Sequence, residues 1–296
     1  MIKKEIMHDI EVAKTSLGIE LGSTRIKACL LDSKNKIIAS GEHAWENRLE
    51  NGIWTYHIED ITEGLKACYK SLKDEVMDKY GITLKHIGSI GISAMMHGYL
   101  ALDDSGKLLV PFRTWRNTIT KEAADILTRR FNFNIPQRWS IAHLYQAILN
   151  GEEHVGKIKY LTTLAGYIHY ILSDEFVIGI GDASGMFPID SVKKDYNEKM
   201  IADFEALIKD KGYTWKLKSL LPKVLCAGND AGRLTSAGAK LLDPAGDLMA
   251  GAVLAPPEGD AGTGMVATNA IKVGTGNVSA GTSDFAMIVV DKQLDV

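Results

Sequence analysis

The amino-acid sequence predicts a mixed α/β domain, and the order of its apolar segments is the main reason. Strand-like runs at 17–19, 26–31 and 36–40 follow one another with glycine and asparagine between them, as in a hairpin with a further strand. Residues 59–80 then carry apolar side chains at the spacing of an amphipathic helix, and 87–92 reads as a short buried strand. Hairpin, strand, helix and strand in this order indicate a sheet that is covered by helices.

The pattern of the remaining chain is mostly helical. Apolar residues recur with helical spacing in five further segments, at 121–130, 142–150, 161–172, 195–211 and 234–242. A short strand is expected at 252–255, just before the turn residues Pro256 and Pro257. Residues 1–14 mix acidic and basic side chains and read as a polar leader.

The composition is that of a globular protein, because 46% of the 296 residues are hydrophobic and 24% are charged. A formal net charge of −3 provides no basic excess to neutralise phosphates, so nucleic acid is not an expected partner. No apolar run approaches the roughly 20 residues that span a bilayer, and no signal peptide is recognisable. With three widely spaced cysteines, we expect a cytoplasmic protein with reduced thiols and no membrane partner.

One short pattern occurs twice, about 260 residues apart. Gly22-Ser23-Thr24 and Gly281-Thr282-Ser283 each join two apolar strands, and the second strand closes on an aspartate, Asp32 or Asp291, ten positions after the glycine. Such a turn offers backbone N–H groups and two hydroxyls, which bind phosphate oxygens. Plain solvated turns remain the alternative for either copy alone. Together, the two copies predict two related domains that hold one nucleotide.

Six segments are similar, in the right order, to motifs of one family. Residues 17–24 resemble the first phosphate motif of the FGGY family of carbohydrate kinases, in the sugar kinase–actin superfamily. Residues 90–98 resemble its sugar-binding strand, in the xylulokinase manner. Four other segments are similar to family motifs: 112–117 to a segment that lines the family's sugar pocket, 181–185 to a further signature, 259–262 to the segment with the family's catalytic aspartate, and 278–283 to the second phosphate motif.

The resemblance implies an actin-like ATPase fold of the ribonuclease H-like kind, with a mixed sheet flanked by helices. ATP and Mg²⁺ would bind in the cleft between two domains, and a small sugar would be held mostly by the first. On this basis residues 15–258 form the N-terminal sugar-binding domain, and 259–296 begin a C-terminal nucleotide-binding domain that is truncated. The sequence leaves a homodimer open.

The resemblance also assigns roles to individual residues. Asp260 would be the general base that takes the proton from the attacking sugar hydroxyl. Glu20 would hold Mg²⁺ at the position where the family usually has aspartate, one methylene shorter. The phosphate oxygens would bind to Gly22, Ser23, Thr24, Gly281, Thr282 and Ser283. The sugar would contact Met96, His97, Trp115, Asn117 and Trp139.

Each of these roles has a structural alternative. Asp260 could be a solvated turn residue, and Glu20 a charge at the end of a strand. His97 and Trp139 could be core residues, and Asp182 could terminate a strand near the pocket without taking part in chemistry.

The sequence therefore predicts ATP-dependent phosphorylation of a sugar or polyol, with a ketopentose such as xylulose as the candidate. Arg116-Asn117, where the family commonly has Asn-Asp, indicates a different or acidic sugar. Together with Glu20 and the incomplete second domain, this pair also favours a degenerate sugar-binding or sensing protein as an alternative. An actin-like ATPase that works without sugar is a third interpretation. The chain alone is expected to be poorly active, because one wall of the cleft would be missing.

Overall fold

The computed structural model describes residues 2–280, 284–292 and 294. Its α-helices are α1 (Ile2–Glu11), α2 (Ile58–Tyr80), α3 (Lys121–Phe131), α4 (Ser140–Leu149), α5 (Leu164–Ser173), α6 (Ile180–Ala183), α7 (Glu198–Leu207), α8 (Leu217–Leu220), α9 (Ser236–Leu242) and α10 (Asp260–Ala267). Its strands are β1 (Ser16–Leu21), β2 (Arg25–Leu31), β3 (Ile37–Ala44), β4 (Arg48–Glu50), β5 (Ile53–Thr55), β6 (Ser89–Ala94), β7 (Leu100–Leu102), β8 (Tyr160–Thr162), β9 (Val177–Gly179), β10 (Ile189–Asp190), β11 (Asp195–Tyr196), β12 (Lys223–Leu225), β13 (Val253–Leu254), β14 (Glu258–Gly259), β15 (Gly276–Ala280) and β16 (Asp284–Ile288).

The central sheet is mixed, with the strand order β13-β6-β1-β2-β3. β1, β2 and β3 are antiparallel neighbours, whereas β6 runs parallel to β1. β13 and β14 pair in parallel with successive halves of β6, so together they form one interrupted edge strand. The predicted α/β class with a mixed sheet and flanking helices is confirmed.

The main core lies between this sheet and α2. Alternate residues of β1 point inward, and α2 buries Ile61, Leu65 and Leu72 along one face. Gly41 on β3 permits the close approach of α2, because a Cβ atom there would lie 2.2 Å from the carbonyl oxygen of Cys68. Any larger residue at position 41 must push the helix away from the sheet.

A buried ion pair fastens α2 to the end of α9. Lys73 Nζ lies 2.9 Å from both carboxylate oxygens of Asp243 and 2.6 Å from Asp247 Oδ2. Asp243 also accepts the backbone N–H groups of Asp247 and Leu248. A second apolar cluster packs beside the first among α3, α4 and α7, around Phe131, Phe187 and Phe204.

Several predicted boundaries are wrong because side-chain caps start the helices later. The helix predicted over 161–172 is divided into β8 and α5, since the Thr163 side chain accepts the Gly166 N–H and starts α5. The helix predicted over 195–211 begins only after Asn197, which accepts the Met200 N–H. The predicted polar leader contains helix α1, and α10 was not predicted at all. Within the described residues, no helix is both long enough and apolar enough to cross a membrane.

Candidate active site

Three parallel strand segments end side by side at one edge of the central sheet. Leu21 at the end of β1 pairs with Ala94 of β6, and Ala94 pairs with Gly259 of β14. The chain then continues as the turn at Gly22, the loop at 95–99 and helix α10, which starts at Asp260. The carboxyl ends of parallel strands are the usual ligand-binding edge of an α/β sheet. Residues about 240 positions apart in sequence therefore share one site.

The first predicted turn connects β1 and β2. The N–H of Gly22 donates to the carbonyl oxygen of Arg25 at 2.9 Å, which closes the turn. The exposed carboxylate of Glu20 lies beside it, with Oε1 3.7 Å from the position that a Cβ atom on Gly22 would occupy. The carboxylate and the predicted phosphate cradle are therefore adjacent.

The second predicted hairpin is also formed. β15 and β16 pair in antiparallel fashion up to Ala280 and Asp284. Its turn residues, Gly281, Thr282 and Ser283, lie outside the described residues, so their predicted phosphate contacts stay a prediction.

Asp260 is the first residue of α10, and one oxygen of its carboxylate, Oδ1, accepts the Met96 N–H at 3.2 Å. Burial raises the pKa of this carboxyl, the N–H groups of Met96 and Ala261 oppose the rise, and the charge of Glu20 adds to it. A hydrogen bond between Ser93 Oγ and Thr263 Oγ1, 2.9 Å long, holds α10 against β6. Asp260 is thus a partly buried carboxyl at the strand ends rather than a solvated turn residue.

Two further carboxyl groups, those of Asp182 and Glu258, lie close to Asp260, and neither was among the predicted site residues. Asp182 is fully buried and accepts the Thr163 hydroxyl on Oδ2 at 2.6 Å, while its Oδ1 has no hydrogen-bond partner within the described part of the chain. Burial raises the pKa of Asp182 to about 8, and the charges of Glu258 and Asp260 add to the rise. Asp182 is therefore neutral at pH 7.

Glu258 holds the edge strand that leads to Asp260. Its carboxylate accepts the N–H groups of Asp182 at 2.9 Å and Gly181 at 3.4 Å. Gly179 donates its N–H to the Pro257 carbonyl oxygen at 2.8 Å. The only signal in the sequence is that Glu258 stands two residues before Asp260, because its partners are about 80 residues away.

His97 is held in the loop after β6 with a left-handed backbone, at φ 69°. Its Nδ1 lies 3.2 Å from the Gly185 carbonyl oxygen. Burial lowers the pKa of His97 to about 4, so the ring is neutral at pH 7. The Nδ1–H therefore donates to Gly185, and Nε2 is left as an acceptor. A Cβ atom at Gly185 would lie 2.6 Å from Nδ1 and 3.2 Å from Met96 Cε, so glycine is needed there.

The other three predicted sugar contacts differ in their surroundings. Trp115 is half-buried and packs against the main core. Trp139 packs instead against Phe133 and the second cluster. Asn117 is buried, and its side chain makes three hydrogen bonds to the backbone of Trp54 and Thr114, at 2.8–3.0 Å. Its predicted sugar contact stays a prediction, with one acceptor lone pair left for it.

The first turn offers one carboxylate to a magnesium ion, but not a complete set of protein ligands. Within residues 2–280, 284–292 and 294, no three His, Cys, Asp or Glu side chains lie close enough to form a metal cage. Mg²⁺ needs less, since it is usually held by one or two carboxylates together with water and substrate phosphates. The exposed carboxylate of Glu20 beside the turn meets that requirement.

Comparison with solved structures defines the class of protein. The xylulose kinase from Rhodospirillum rubrum superposes with a TM-score of 0.76 at 16% identity, covering 95% of this chain and 56% of that one. The gluconate kinase from Lactobacillus acidophilus gives 0.75 at 18% identity, covering 91% and 53%. The fold is therefore the actin-like ATPase fold of carbohydrate kinases.

Sequence comparison defines the family. A family model described as the N-terminal domain of the FGGY family of carbohydrate kinases matches residues 15–245. The xylulose kinase of Haemophilus influenzae is 24% identical over 296 residues, covering 94% of this chain and 57% of that protein. The chain belongs to the FGGY family of carbohydrate kinases, as the sequence analysis predicted. It spans about half the length of the curated relatives it matches.

Proposed function

We propose that the protein containing this chain transfers the γ-phosphoryl group of ATP directly to a hydroxyl of a ketopentose-like sugar, with xylulose as the first candidate. The main support is the position of Asp260 at the edge where β1, β6 and β14 end, hydrogen-bonded to Met96 and next to His97. A raised pKa makes this carboxylate a better proton acceptor than an exposed one. Its neighbours are suited to binding a sugar and a phosphate.

Each residue has a distinct part in this proposal. Asp260 accepts the proton of the attacking hydroxyl, and His97 Nε2 accepts a hydrogen bond from another hydroxyl of the sugar. Met96 and the flat face of Trp115 lie against its C–H groups. The first turn binds phosphate oxygens through backbone N–H groups. Glu20 would hold Mg²⁺, which supplies positive charge against the phosphates when bound.

A sugar acid is the second candidate substrate, and Arg116 favours it. The Arg116 guanidinium stacks on the Trp54 ring with 3.8 Å between its central carbon and the ring centroid. Among the described residues no carboxylate forms an ion pair with it. A guanidinium that is held flat in this way keeps its edge free for a carboxylate. The gluconate kinase among the structural neighbours acts on a substrate of this kind.

The test combines a kinase assay with calorimetry on a panel of ketopentoses, pentitols and sugar acids. Asp260→Asn should abolish ATP-dependent formation of sugar phosphate while sugar affinity stays within about threefold, because the amide keeps the shape but cannot accept the proton. Asp210→Asn, at an exposed position away from the site, is the matched control. Full turnover in Asp260→Asn would refute the general-base role.

The same assay and calorimetry distinguish the proposed kinase from the two alternative functions. His97→Ala and Trp115→Ala should each weaken the binding of the one sugar that binds. Sugar binding with no phosphorylated product would favour the degenerate sugar-binding protein. ATP hydrolysis that does not depend on sugar would favour the actin-like ATPase.

A further inference from the structure

Three consecutive backbone carbonyl groups of the first turn, those of Gly22, Ser23 and Thr24, accept hydrogen bonds from Trp45 and Tyr56. The indole Nε1–H of Trp45 donates to the Gly22 carbonyl oxygen at 2.7 Å. The hydroxyl of Tyr56 donates to the Ser23 carbonyl oxygen at 2.6 Å, and the backbone N–H of Trp45 donates to that of Thr24 at 3.2 Å. Trp45 directly follows β3, and Tyr56 directly follows β5. Two separate segments therefore hold the turn.

These hydrogen bonds also fix the direction of the backbone N–H groups of Ser23 and Thr24. In a trans peptide the C=O and the following N–H are coplanar and point in opposite directions. Because the Gly22 and Ser23 carbonyls point at Trp45 and Tyr56, the N–H groups of Ser23 and Thr24 point away from them. None of the hydrogen bonds in the described part of the chain uses either N–H. Adjacent N–H groups left free in this way form a concave site for an anion.

The two aromatic residues are themselves held rigidly. Their rings stack with centroids 4.1 Å apart at an interplanar angle of 26°. Tyr56 is 1% exposed and Trp45 is 7% exposed. Burial raises the pKa of the Tyr56 hydroxyl, so it remains a protonated donor throughout the physiological range. The hydrogen bonds to the turn thus come from groups that cannot rotate away or lose their protons.

We propose that Trp45 and Tyr56 are positioning residues for the phosphate group of the nucleotide: they hold the peptide planes of Gly22-Ser23-Thr24 so that two N–H groups face the bound phosphate. This inference rests on the proposed function, because it requires the turn to bind nucleotide. Both side chains are buried behind the turn. Each acts through the backbone carbonyl to which it donates.

Two conservative variants test the proposal in the protein that contains this chain. Tyr56→Phe removes one hydroxyl, and Trp45→Phe removes the indole N–H while keeping an aromatic ring for stacking. Tyr69→Phe is the control for the first, since its buried hydroxyl has no hydrogen-bond partner within the described residues. Trp215→Phe is the control for the second, since its indole donates to the Val155 carbonyl oxygen in the other cluster.

We expect Tyr56→Phe and Trp45→Phe to lower kcat/KM for Mg·ATP about tenfold each, the effect of one lost hydrogen bond. Sugar affinity, measured by calorimetry, should stay at the wild-type value in both variants. The control variants Tyr69→Phe and Trp215→Phe should keep the wild-type kcat/KM for Mg·ATP. Values for Mg·ATP within about twofold of wild type would overturn the proposal. An equal loss in sugar affinity would also overturn it, because it would indicate general loosening of the domain.

If the wild type forms no sugar phosphate, the proposed function is wrong. The positioning role of Trp45 and Tyr56 is then tested by itself, by measuring Mg·ATP affinity with calorimetry. Weaker Mg·ATP binding in Tyr56→Phe than in Tyr69→Phe supports the positioning role without any turnover. Equal affinities overturn it, and so does a wild type that does not bind Mg·ATP.

Discussion

Replacing Asp182 by asparagine should stabilise the protein at neutral pH, although Asp182 belongs to a family motif. The carboxyl is fully buried, and within the described residues it accepts one hydrogen bond, from the Thr163 hydroxyl. Glu258 and Asp260 lie close enough for their negative charges to oppose its ionisation. An asparagine keeps an oxygen for the Thr163 hydroxyl, but its NH₂ group at the place of Oδ1 has no partner within the described residues, which costs about 1–3 kcal/mol. The side chain then never needs to take up a proton on folding.

The size and sign of the effect follow from the two pKa values. The pKa of Asp182 is raised from 3.8 to about 8 by folding. A raised pKa gives stability that is fully present below pH 4 and is lost as the pH rises toward 8. At pH 7 the native carboxyl must be protonated at a cost on the order of 4 kcal/mol, which Asp182→Asn removes. Between pH 4 and pH 7 the stability difference should therefore shift in favour of the variant by about 4 kcal/mol.

The assay is urea unfolding of both proteins between pH 4 and pH 8. Asp243→Asn is the control with the opposite sign. Burial acts to raise the pKa of Asp243, but the hydrogen bonds from Lys73 and the backbone N–H groups of Leu248 and Asp247 hold it below its usual value. Asp243→Asn should therefore lose stability at pH 7 and lose less as the pH falls. If the stability difference between Asp182→Asn and the wild type does not change between pH 4 and pH 7, the pKa of Asp182 is not raised by folding and the reasoning is wrong.

Two further predictions concern the proposed metal ligand and the core. Glu20→Gln should raise the Mg²⁺ concentration needed for half-maximal kinase activity, whereas Glu20→Asp should keep a carboxylate for the metal. The same Mg²⁺ requirement in Glu20→Gln and the wild type would show that Glu20 does not bind the metal. Gly41→Ala should lower the free energy of unfolding by about 1–3 kcal/mol, because the added methyl group meets the backbone of α2. Gly18→Ala is its control in urea unfolding, since nothing lies within 4 Å of a Cβ atom there.

The sequence predicts best what depends on neighbours along the chain. The first hairpin is visible because its strands and its turn at Gly22 follow one another directly, and α2 is visible because its apolar face repeats with helical spacing. The start of α5 was missed for a local reason. Apolar residues stand on both sides of Thr162 and Thr163, so the helical pattern extends across them, and the role of Thr163 as a cap becomes visible only when its side chain accepts the Gly166 N–H.

Features made by tertiary contact could not be predicted in this way. Glu258 acquires its partners only when β14 lies beside α6, and two of the three hydrogen bonds of the Asn117 side chain depend on the approach of Trp54. The hydrogen bonds from Trp45 and Tyr56 to the first turn could not be predicted either, because they join segments more than 20 residues apart. The motif resemblance predicts where the candidate site lies, but the contacts that shape it come from packing.

The sheet explains why these distant motifs form one site. β1 carries Glu20 to its carboxyl end, β6 carries the loop with Met96 and His97, and β14 carries Asp260. Because all three are parallel and in register at Leu21, Ala94 and Gly259, the candidate residues on these strands and their loops lie within three positions of one common line across the sheet; they are Glu20, Met96, His97 and Asp260. A one-residue slip of β14 against β6 would turn its side chains to the opposite face and move the Asp260 carboxylate away from the Met96 N–H. Glu258, which fastens β14 through the N–H groups of Gly181 and Asp182, opposes that slip.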